Sequence, residues 1–346
     1  MRALQLVAWK HEPELLEVAD PEPGPGEVRV RIGGAGACHS DLHLIHDFDA
    51  GLLPWGPPFT LGHENAGWVD ALGAGASGVE LGEPVAVYGP WGCGRCHRCA
   101  QGMENYCVHQ ATIGAAGGGL GRDGGMAEFM LVPDARFLVP IGDLRPVDAA
   151  PLTDAALTPY HAVKRSLSLL GPGSTAVVVG VGGLGHMAIE ILEALTPARI
   201  VAVDRRADAL RLAAEIGADE TVLAVDDAAA EVRAMTADVG ADVVLDFVGS
   251  DETLHFGAAV ARSLGHLTLV GIAGGTLALG FFTVPYELSV ATTYWGSRPE
   301  LMEVIDLARS GKIRPHVQEF TLEDAPKVYE QMRTGQLSGR AVVIPS

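Results

Sequence analysis

The segment TAVVVGVGGLGHMAIEIL at residues 175–192 decides the fold of the second half of the chain. It opens with an apolar run typical of a buried strand and closes with the pattern of an amphipathic helix. Gly180, Gly182 and Gly185 stand between the two as G-x-G-x-x-G. In this context the glycines allow a tight turn and let a pyrophosphate approach the free N–H groups at the helix start. We therefore predict a dinucleotide-binding loop here.

The residue that ends the next strand predicts which dinucleotide binds. Asp204 closes the strand-like RIVAVD about 20 residues after the third glycine. An acid at that place accepts hydrogen bonds from the adenosine ribose and repels a 2′-phosphate, which favours NAD over NADP. Arg205 and Arg206 follow directly. A basic neighbour can accommodate the 2′-phosphate, so NADP stays open as the alternative.

The chain is long enough for two domains, and its two halves differ in pattern. After residue 155, apolar strands alternate with amphipathic helices, which predicts a doubly wound parallel sheet. The first 150 residues contain short alternating β segments between Gly and Pro turns, which predicts a small β-rich domain. We expect an α/β protein with a β-rich domain at 1–154, completed by 293–346, and a Rossmann domain at 155–292. The glycine-rich stretch 114–125 lacks a flanking strand and helix, and we expect a flexible loop there.

Composition and charge exclude two classes of partner. The net charge of −19, from 24 basic and 43 acidic residues, opposes binding to nucleic acid and to anionic membranes, whose phosphates attract clustered Lys and Arg. No uncharged apolar run reaches about 18 residues, so we expect no membrane span. The N-terminal region carries charges early and lacks the apolar core of a signal peptide, which favours the cytoplasm.

The five cysteines indicate metal binding rather than disulfides. Four of them stand together in CGRCHRCAQGMENYC with the spacing C-x2-C-x2-C-x7-C: Cys93, Cys96, Cys99 and Cys107. Thiolates at this spacing close a tetrahedral cage around zinc and leave no open coordination position, so the site would be structural. Iron–sulfur ligation remains the alternative for a set of four thiolates.

The fifth cysteine, Cys38, lies in GACHSDLHLIHD at 35–46, a stretch dense in side chains that can bind metal. Taken alone, a cysteine is more often a small buried apolar residue. However, Cys38 with HSD, then GHENAG at 62–67, then the cysteine segment and the glycine motif resemble the zinc-dependent medium-chain alcohol dehydrogenases over essentially the whole chain. YGPWGCGRC, PLTDAALTPYHAV and TTYWGS are most similar to bacterial NAD-dependent secondary-alcohol dehydrogenases. The resemblance implies a GroES-like catalytic domain, a Rossmann domain and two zinc ions per chain.

The same resemblance implies the ligands of a catalytic zinc. Cys38 matches the first ligand and His63 of GHE the second, and Asp154 stands in PLTDAAL where many relatives have a cysteine. An isolated aspartate could equally cap a helix. One thiolate, one carboxylate and a neutral histidine balance Zn²⁺, although the carboxylate is the harder donor. Glu64 matches a transient or fourth ligand, and Asp41 a carboxylate that holds a ligand histidine in place.

The resemblance also implies a proton path and further cofactor contacts. Ser40 matches the hydroxyl that hydrogen-bonds the substrate oxygen, and His43 the relay histidine near the cofactor ribose; both would be catalytic. Some close bacterial relatives lack a histidine at the second of these positions, and His46 matches no family role. Cofactor contacts beyond the three glycines, Asp204 and Arg205 are expected from His39, Thr158, Gly183, Leu184 and Arg340.

The implied reaction is reversible hydride transfer from an alcohol to NAD. Secondary alcohols, giving ketones, are the expected substrates, with primary alcohols, giving aldehydes, as a further option. Ile272, Tyr294 and Trp295 fall where the family lines its substrate pocket, although aromatic residues there could also pack between subunits. A zinc polyol or aldehyde-type dehydrogenase is the alternative, whereas a zinc-free quinone reductase would leave the cysteines unexplained. Bacterial relatives suggest a homo-oligomer, either tetramer or dimer.

Overall fold

Two compact units make up the chain, which the computed structural model describes from residue 1 to residue 345. Unit 1 comprises Met1–Leu157, Gly296–Gly311 and the described residues from Pro315 onwards. Unit 2 comprises Thr158–Trp295 and Lys312–Arg314. Within residues 1–345, no helix combines the length and the apolarity that crossing a bilayer requires.

Unit 1 consists largely of short strands. They are β1 (Arg2–Leu6), β2 (Glu14–Glu17), β3 (Val28–Gly36), β4 (Phe59–Thr60), β5 (Glu64–Leu72), β6 (Pro84–Val87), β7 (Gly117–Gly118), β8 (Gly121–Arg122), β9 (Phe129–Val132), β10 (Leu138–Pro140), β17 (Val317–Thr321) and β18 (Arg340–Ile344). Its helices are α1 (His39–His46), α2 (Gln110–Ile113), α3 (Pro146–Ala149), α9 (Arg298–Arg309) and α10 (Ala325–Arg333). The main sheet has the order β10-β6-β5-β3-β18-β17, with β9 also paired to β3.

The pairing of β3 with β5 positions the first half of the site. The two strands run antiparallel, with Gly36 at the end of β3 opposite Glu64 at the start of β5. A Cβ atom on Gly36 would lie 1.9 Å from Glu64 Oε2, so only glycine allows this approach. Because α1 begins just after β3 and His63 directly precedes β5, this register brings Cys38 and His63 to the same end of the sheet.

Unit 2 is a parallel sheet flanked by helices. Its strands are β11 (Thr175–Val179), β12 (Arg199–Asp204), β13 (Glu220–Leu223), β14 (Ala241–Asp246), β15 (Ala261–Leu269) and β16 (Ser289–Thr292). Its helices are α4 (Leu157–Ser166), whose first residue belongs to unit 1, α5 (Gly185–Leu195), α6 (Ala207–Glu215), α7 (Ala228–Met235) and α8 (Asp251–Val260). The strand order is β13-β12-β11-β14-β15-β16, and every neighbouring pair is parallel. This is the dinucleotide-binding order, with its reversal between β11 and β14. The predicted α/β class is confirmed.

Two segments differ from the sequence-based expectation. The helical pattern through TLHFGAAVARSLG predicts a helix to about residue 265, yet α8 ends at Val260 and β15 begins at once, since Ala261 is extended. The stretch 114–125 is a packed segment rather than a flexible loop. Gly124 donates to the carbonyl of Thr60 and Gly125 to that of Gly62, so this segment covers the residues just before His63.

Candidate active site

Three side chains of metal-ligand type converge in unit 1. The donor atoms of Cys38, His63 and Asp154 all lie within 4.8 Å of one another. Asp154 Oδ2 is 3.6 Å from Cys38 Sγ and 3.6 Å from His63 Nε2. Ligand atoms around a tetrahedral zinc lie about 3.4–3.8 Å apart, so these spacings fit the ion. Three protein donors leave one position open for a substrate.

These ligands come from distant parts of the sequence. Cys38 directly precedes α1, where its N–H is held by the carboxylate of Asp41 at 3.0 Å. His63 lies between β4 and β5. Asp154 follows the short 3-10 turn Ala150–Thr153 and lies 116 residues from Cys38. Cys38 and His63 are buried, and Asp154 is 9 % exposed.

Asp41 connects two of the three ligands. Its Oδ1 lies 3.1 Å from His63 Nδ1, while its Oδ2 accepts from the N–H of Cys38 and, at 2.9 Å, from the hydroxyl of Tyr329. A carboxylate on Nδ1 fixes the proton there and leaves Nε2 free to bind a metal. Asp41 is fully buried, so this arrangement is held away from water.

The charge around His63 also favours a cation. Burial lowers the pKa of His63, but the charge of Asp41 and the hydrogen bonds that the ring donates to Asp154, Asp41 and Cys38 raise it well above its usual value. The anionic neighbours of the imidazole therefore favour a positive charge at this place. The donor set thus fits a divalent ion such as Zn²⁺, which would supply that positive charge.

Glu64 and Arg340 form a buried ion pair beside these donors. Arg340 donates through Nε to Glu64 Oε2 at 2.8 Å and through an Nη to Oε1, and Oε1 also accepts from the N–H of Ala155. Burial raises the pKa of Glu64 to about 7, although Arg340 acts to lower it. An Nη of Arg340 lies 3.9 Å from Asp154 Oδ2. The metal contact expected of Glu64 and the pyrophosphate contact expected of Arg340 stay predictions.

Helix α1 carries the residues expected to move the proton. Ser40 Oγ lies 3.3 Å from His63 Nε2, beside the three donors. His43 lies one turn further along, with its Nδ1 2.5 Å from Asp47 Oδ2. The ring of His39 is 5.8 Å from that of His43, and burial, together with His43 and Arg340, lowers the pKa of His39.

The four remaining cysteines form a second donor cluster in unit 1. Their sulfur atoms lie within 4.8 Å of one another, with Sγ–Sγ distances of 3.5 Å (Cys96 to Cys99), 3.9 Å (Cys93 to Cys99) and 4.0 Å (Cys96 to Cys107). Four thiolates on one tetrahedral zinc lie about 3.8 Å apart. Backbone N–H groups, chiefly that of Cys99, lower the pKa of Cys96 to about 5, so one thiolate forms readily. The cluster fits a closed, structural zinc site.

Unit 2 contains the predicted cofactor loop, and a different structural constraint explains the glycine at each of its three motif positions. Gly180 has φ +86°, and a Cβ on Gly185 would lie 1.8 Å from the carbonyl oxygen of Gly180. A Cβ on Gly182 would meet nothing within 4 Å, so open space faces that residue. These are the turn, the close helix packing and the backbone approach that a pyrophosphate site needs. Gly183 and Leu184 complete the loop before α5.

Asp204 lies at the end of β12 and braces the same loop. Its Oδ2 accepts from the N–H of Val181 at 2.7 Å and its Oδ1 from the N–H of Arg206 at 2.8 Å. Each carboxylate oxygen has a further lone pair for a ribose hydroxyl. Arg205 is exposed.

The other predicted residues of unit 2 differ in exposure. Thr158 and Trp295 are both 6 % exposed, whereas Ile272 is 57 % and Tyr294 is 46 % exposed. Trp295 has φ +54°, and its ring packs at 5.9 Å against that of Tyr294.

Sequence reasoning missed two buried polar residues, one bonded to Asp41 and one inside the four-cysteine segment. Tyr329 binds Asp41 across 288 residues of sequence, and no local pattern marks it. Glu104 is 1 % exposed, stands between Cys99 and Cys107, and has its Oε1 4.0 Å from Arg298 Nε. Burial raises the pKa of Glu104. The position of Glu104 inside the four-cysteine segment is the sequence feature that could have identified it.

Comparison with known proteins agrees with this geometry. Residues 24–143 match the alcohol dehydrogenase GroES-like domain, and residues 183–310 match the zinc-binding dehydrogenase family. An NAD-dependent alcohol dehydrogenase of Sulfurisphaera tokodaii is 34 % identical over all of both chains. A D-arabinose 1-dehydrogenase (NADP⁺) of Saccharolobus solfataricus is 35 % identical, covering 95 % of this chain and 93 % of its own. The crystal structure of the alcohol dehydrogenase of Aeropyrum pernix superposes with a TM-score of 0.92 at 36 % identity over both full chains.

A thiolate–imidazole–carboxylate zinc site, a closed four-thiolate site and a dinucleotide-binding sheet define a zinc-dependent oxidoreductase. The chain belongs to the zinc-binding alcohol dehydrogenase family, with its GroES-like and nucleotide-binding domains. The resemblance found in the sequence is confirmed.

Proposed function

We propose that the enzyme oxidises secondary alcohols to ketones, reversibly and with NAD, and takes primary alcohols as further substrates. The observation that carries this proposal is the buried set of three donors, Cys38, His63 and Asp154, with the hydroxyl of Ser40 beside it. A dehydrogenase acting on an alcohol needs a place to bind the oxygen and a group to take its proton. This arrangement supplies both.

Cys38, His63 and Asp154 would hold the catalytic zinc, and Cys93, Cys96, Cys99 and Cys107 the structural zinc. The bound zinc would supply Lewis acidity toward the substrate oxygen, and the bound NAD would supply the acceptor for the hydride of the carbinol carbon. Asp41 orients His63 by holding its Nδ1 proton, so that Nε2 faces the other donors. Glu64, paired with Arg340, is proposed to approach the same site transiently.

The chain's own side chains move the proton that leaves the alcohol. Ser40 Oγ accepts the hydroxyl proton as its own proton moves on, and His43, one turn further along α1, carries the charge toward water. His39 on the same helix is proposed to contact the cofactor pyrophosphate. His43 is half-buried, with 19 % of its side chain exposed, which suits a relay between a dry site and solvent.

Cofactor binding is assigned to the glycine loop and its neighbours. Gly180, Gly182, Gly183 and Gly185 would receive the pyrophosphate, helped by Arg340, and Asp204 would accept from the adenosine ribose. Thr158 and Leu184 would pack against the nicotinamide, and Ile272, Tyr294 and Trp295 would shape the substrate pocket. NAD is favoured over NADP because the carboxylate of Asp204 repels a 2′-phosphate, although Arg205 is available to one.

A substrate and cofactor panel tests the proposal. The zinc-loaded enzyme is assayed with 2-butanol, ethanol, benzyl alcohol, sorbitol and D-arabinose, each with NAD and with NADP. We expect the highest kcat/KM for 2-butanol with NAD. A preference for sorbitol or D-arabinose would favour the polyol-type alternative, and a preference for NADP would contradict the role of Asp204.

The domain limits, the assembly and the location are part of the proposal. The catalytic domain is assigned to 1–154 with 293–346 and the nucleotide domain to 155–292. A homo-oligomer, tetramer or dimer, is supported by an exposed aromatic group in unit 2, where Phe281 and Phe282 are 74 % and 86 % exposed, and by the edge strand β16. Five unpaired cysteines suit the reducing cytoplasm. Analytical ultracentrifugation of the wild type and of Phe282→Asp tests the assembly, because a charge in the interface should dissociate the oligomer.

A further inference from the structure

At the C-terminal end of α1, His43 pairs with the carboxylate of Asp47, a residue that has no part in the mechanism proposed above. His43 Nδ1 lies 2.5 Å from Asp47 Oδ2, one helical turn further on. An ionised carboxylate only accepts hydrogen bonds, so Nδ1 must carry the proton in this contact. The other ring nitrogen, Nε2, is then unprotonated whenever the imidazole is neutral.

The position of Asp47 makes this pairing more than a chance surface contact. Asp47 is the C-cap of α1, where its N–H bonds the carbonyl of His43. A negative charge at the C-terminus of a helix is unfavourable with the helix dipole, and a hydrogen bond to the carboxylate offsets part of that cost. His43 supplies this hydrogen bond through Nδ1.

Apart from His39, whose ring lies 5.8 Å from that of His43, the other titratable groups facing His43 pair with one another. A groove of about 580 Å³ beside α1 is lined by His39, His46 and Glu12 and, from α10, by Glu330 and Arg333. Arg333 binds Glu330 through two nitrogens, at 2.7 and 2.9 Å, and His46 lies 3.9 Å from Glu12. Among the described residues, Asp47 is the carboxylate that bonds the ring of His43.

We infer that Asp47 is a positioning residue for the proton relay: it holds the proton on Nδ1 of His43 and so presents Nε2 as the basic atom. This inference rests on the proposed role of His43. In each turnover Nε2 accepts the proton that leaves the alcohol and then gives this same proton to water, so Nδ1 keeps its proton and its bond to Asp47. Asp47 itself has 58 % of its side chain exposed.

The isosteric variant D47N separates this role from simple packing. The asparagine amide can either accept from Nδ1–H or donate to a bare Nδ1, so both tautomers of His43 become accessible. D47E keeps an acceptor-only carboxylate. D49N is the matched control, because Asp49 is also an exposed aspartate in an ion pair, with Lys10 at 2.6 Å.

The experiment uses the zinc-loaded enzyme with ¹⁵N-labelled histidine at about pH 8.5, where an ordinary histidine is neutral. Long-range ¹H–¹⁵N spectra distinguish the two tautomers, and the signals of His43 are those lost in H43Q. We expect the Nδ1–H tautomer in the wild type, D47E and D49N, and a mixture in D47N. We also expect D47N to lower kcat/KM for 2-butanol about two- to tenfold, with D47E restoring most of it.

Two kinds of failure are distinguishable. If H43Q lowers the rate but D47N changes neither the tautomer nor the rate, the inference about Asp47 is wrong and the relay stands. If H43Q leaves the rate at the wild-type level, the proposed relay itself is wrong, and the inference falls with it. An Nε2–H tautomer in the wild type would also overturn the inference.

Discussion

Replacing Asp41 by asparagine is expected to weaken the catalytic zinc while leaving the structural zinc bound. Asp41 has three partners, and all three are donors: the N–H of Cys38, the hydroxyl of Tyr329 and Nδ1 of His63. An asparagine keeps one acceptor oxygen and turns an NH₂ group toward the remaining donors. Whichever way the amide lies, either a buried donor loses its acceptor or His63 must change its tautomer.

The size of the effect follows from that loss. A buried donor left without an acceptor costs about 1–3 kcal/mol. If the NH₂ group faces His63, the imidazole proton moves to Nε2 and competes with the metal for the same lone pair. Changing a carboxylate that orients a metal-bound histidine typically weakens binding about 10- to 100-fold, or about 1.4–2.7 kcal/mol. We expect D41N to fall in this range.

Chelator competition measures the effect, because we expect the open three-ligand site to release its zinc at a lower chelator concentration than the closed four-thiolate site. Y329F removes one donor and keeps the contacts to Cys38 and His63, so it should weaken zinc by no more than about fivefold. D70N changes an aspartate that pairs with Arg29 and should have no effect. The reasoning is refuted if D41N binds the catalytic zinc like the wild type, or if it loses both ions together.

Two further predictions concern unit 2. G182A should keep the wild-type melting temperature, because its Cβ enters open space, but it should raise the Kd for NADH more than about tenfold. In G185A the Cβ would lie 1.8 Å from a carbonyl oxygen, so this variant should lose both stability and NADH binding. Thermal melting and NADH fluorescence titration check both, and equal melting losses in the two variants would contradict the geometry. Burial raises the pKa of Glu190 from 4.5 to about 6, although its carboxylate accepts from the N–H of Arg314. The folded state therefore disfavours the charged form of Glu190. As a result, the protein loses stability as the pH rises from about 4.5 to about 6. E190Q should therefore be more stable than the wild type by about 1 kcal/mol at pH 7.5 and equal to it at pH 4, as measured by melting at both pH values; no difference at pH 7.5 would count against the buried charge.

Sequence patterns predicted the features whose residues lie close together in the chain, namely the glycine loop and the four-cysteine segment. The strand–glycine–helix pattern at 175–192 is contained in one segment, and the structure has β11 and α5 on either side of the loop as expected. The four cysteines likewise stand close together, and a short motif constrains their geometry. In both cases the chemistry and the spacing lie within one stretch of chain.

Contacts between distant segments could not be predicted from residue patterns. Tyr329 reaches Asp41 across 288 residues because α10 packs against α1, and Arg340 reaches Glu64 across 276 because β18 pairs with β3. Asp154 became a candidate ligand only through resemblance, since its neighbours form an ordinary apolar turn. The end of α8 was missed because tertiary pairing of β15 overrides the helical pattern that continues past Val260.

The central claim is that Cys38, His63 and Asp154 hold a catalytic zinc distinct from the four-cysteine site. Zinc content per chain, measured together with 2-butanol oxidation in the wild type and in D154A, tests it most directly. The account predicts two zinc ions in the wild type, and in D154A one retained zinc with loss of activity. Two zinc ions and wild-type activity in D154A would contradict it.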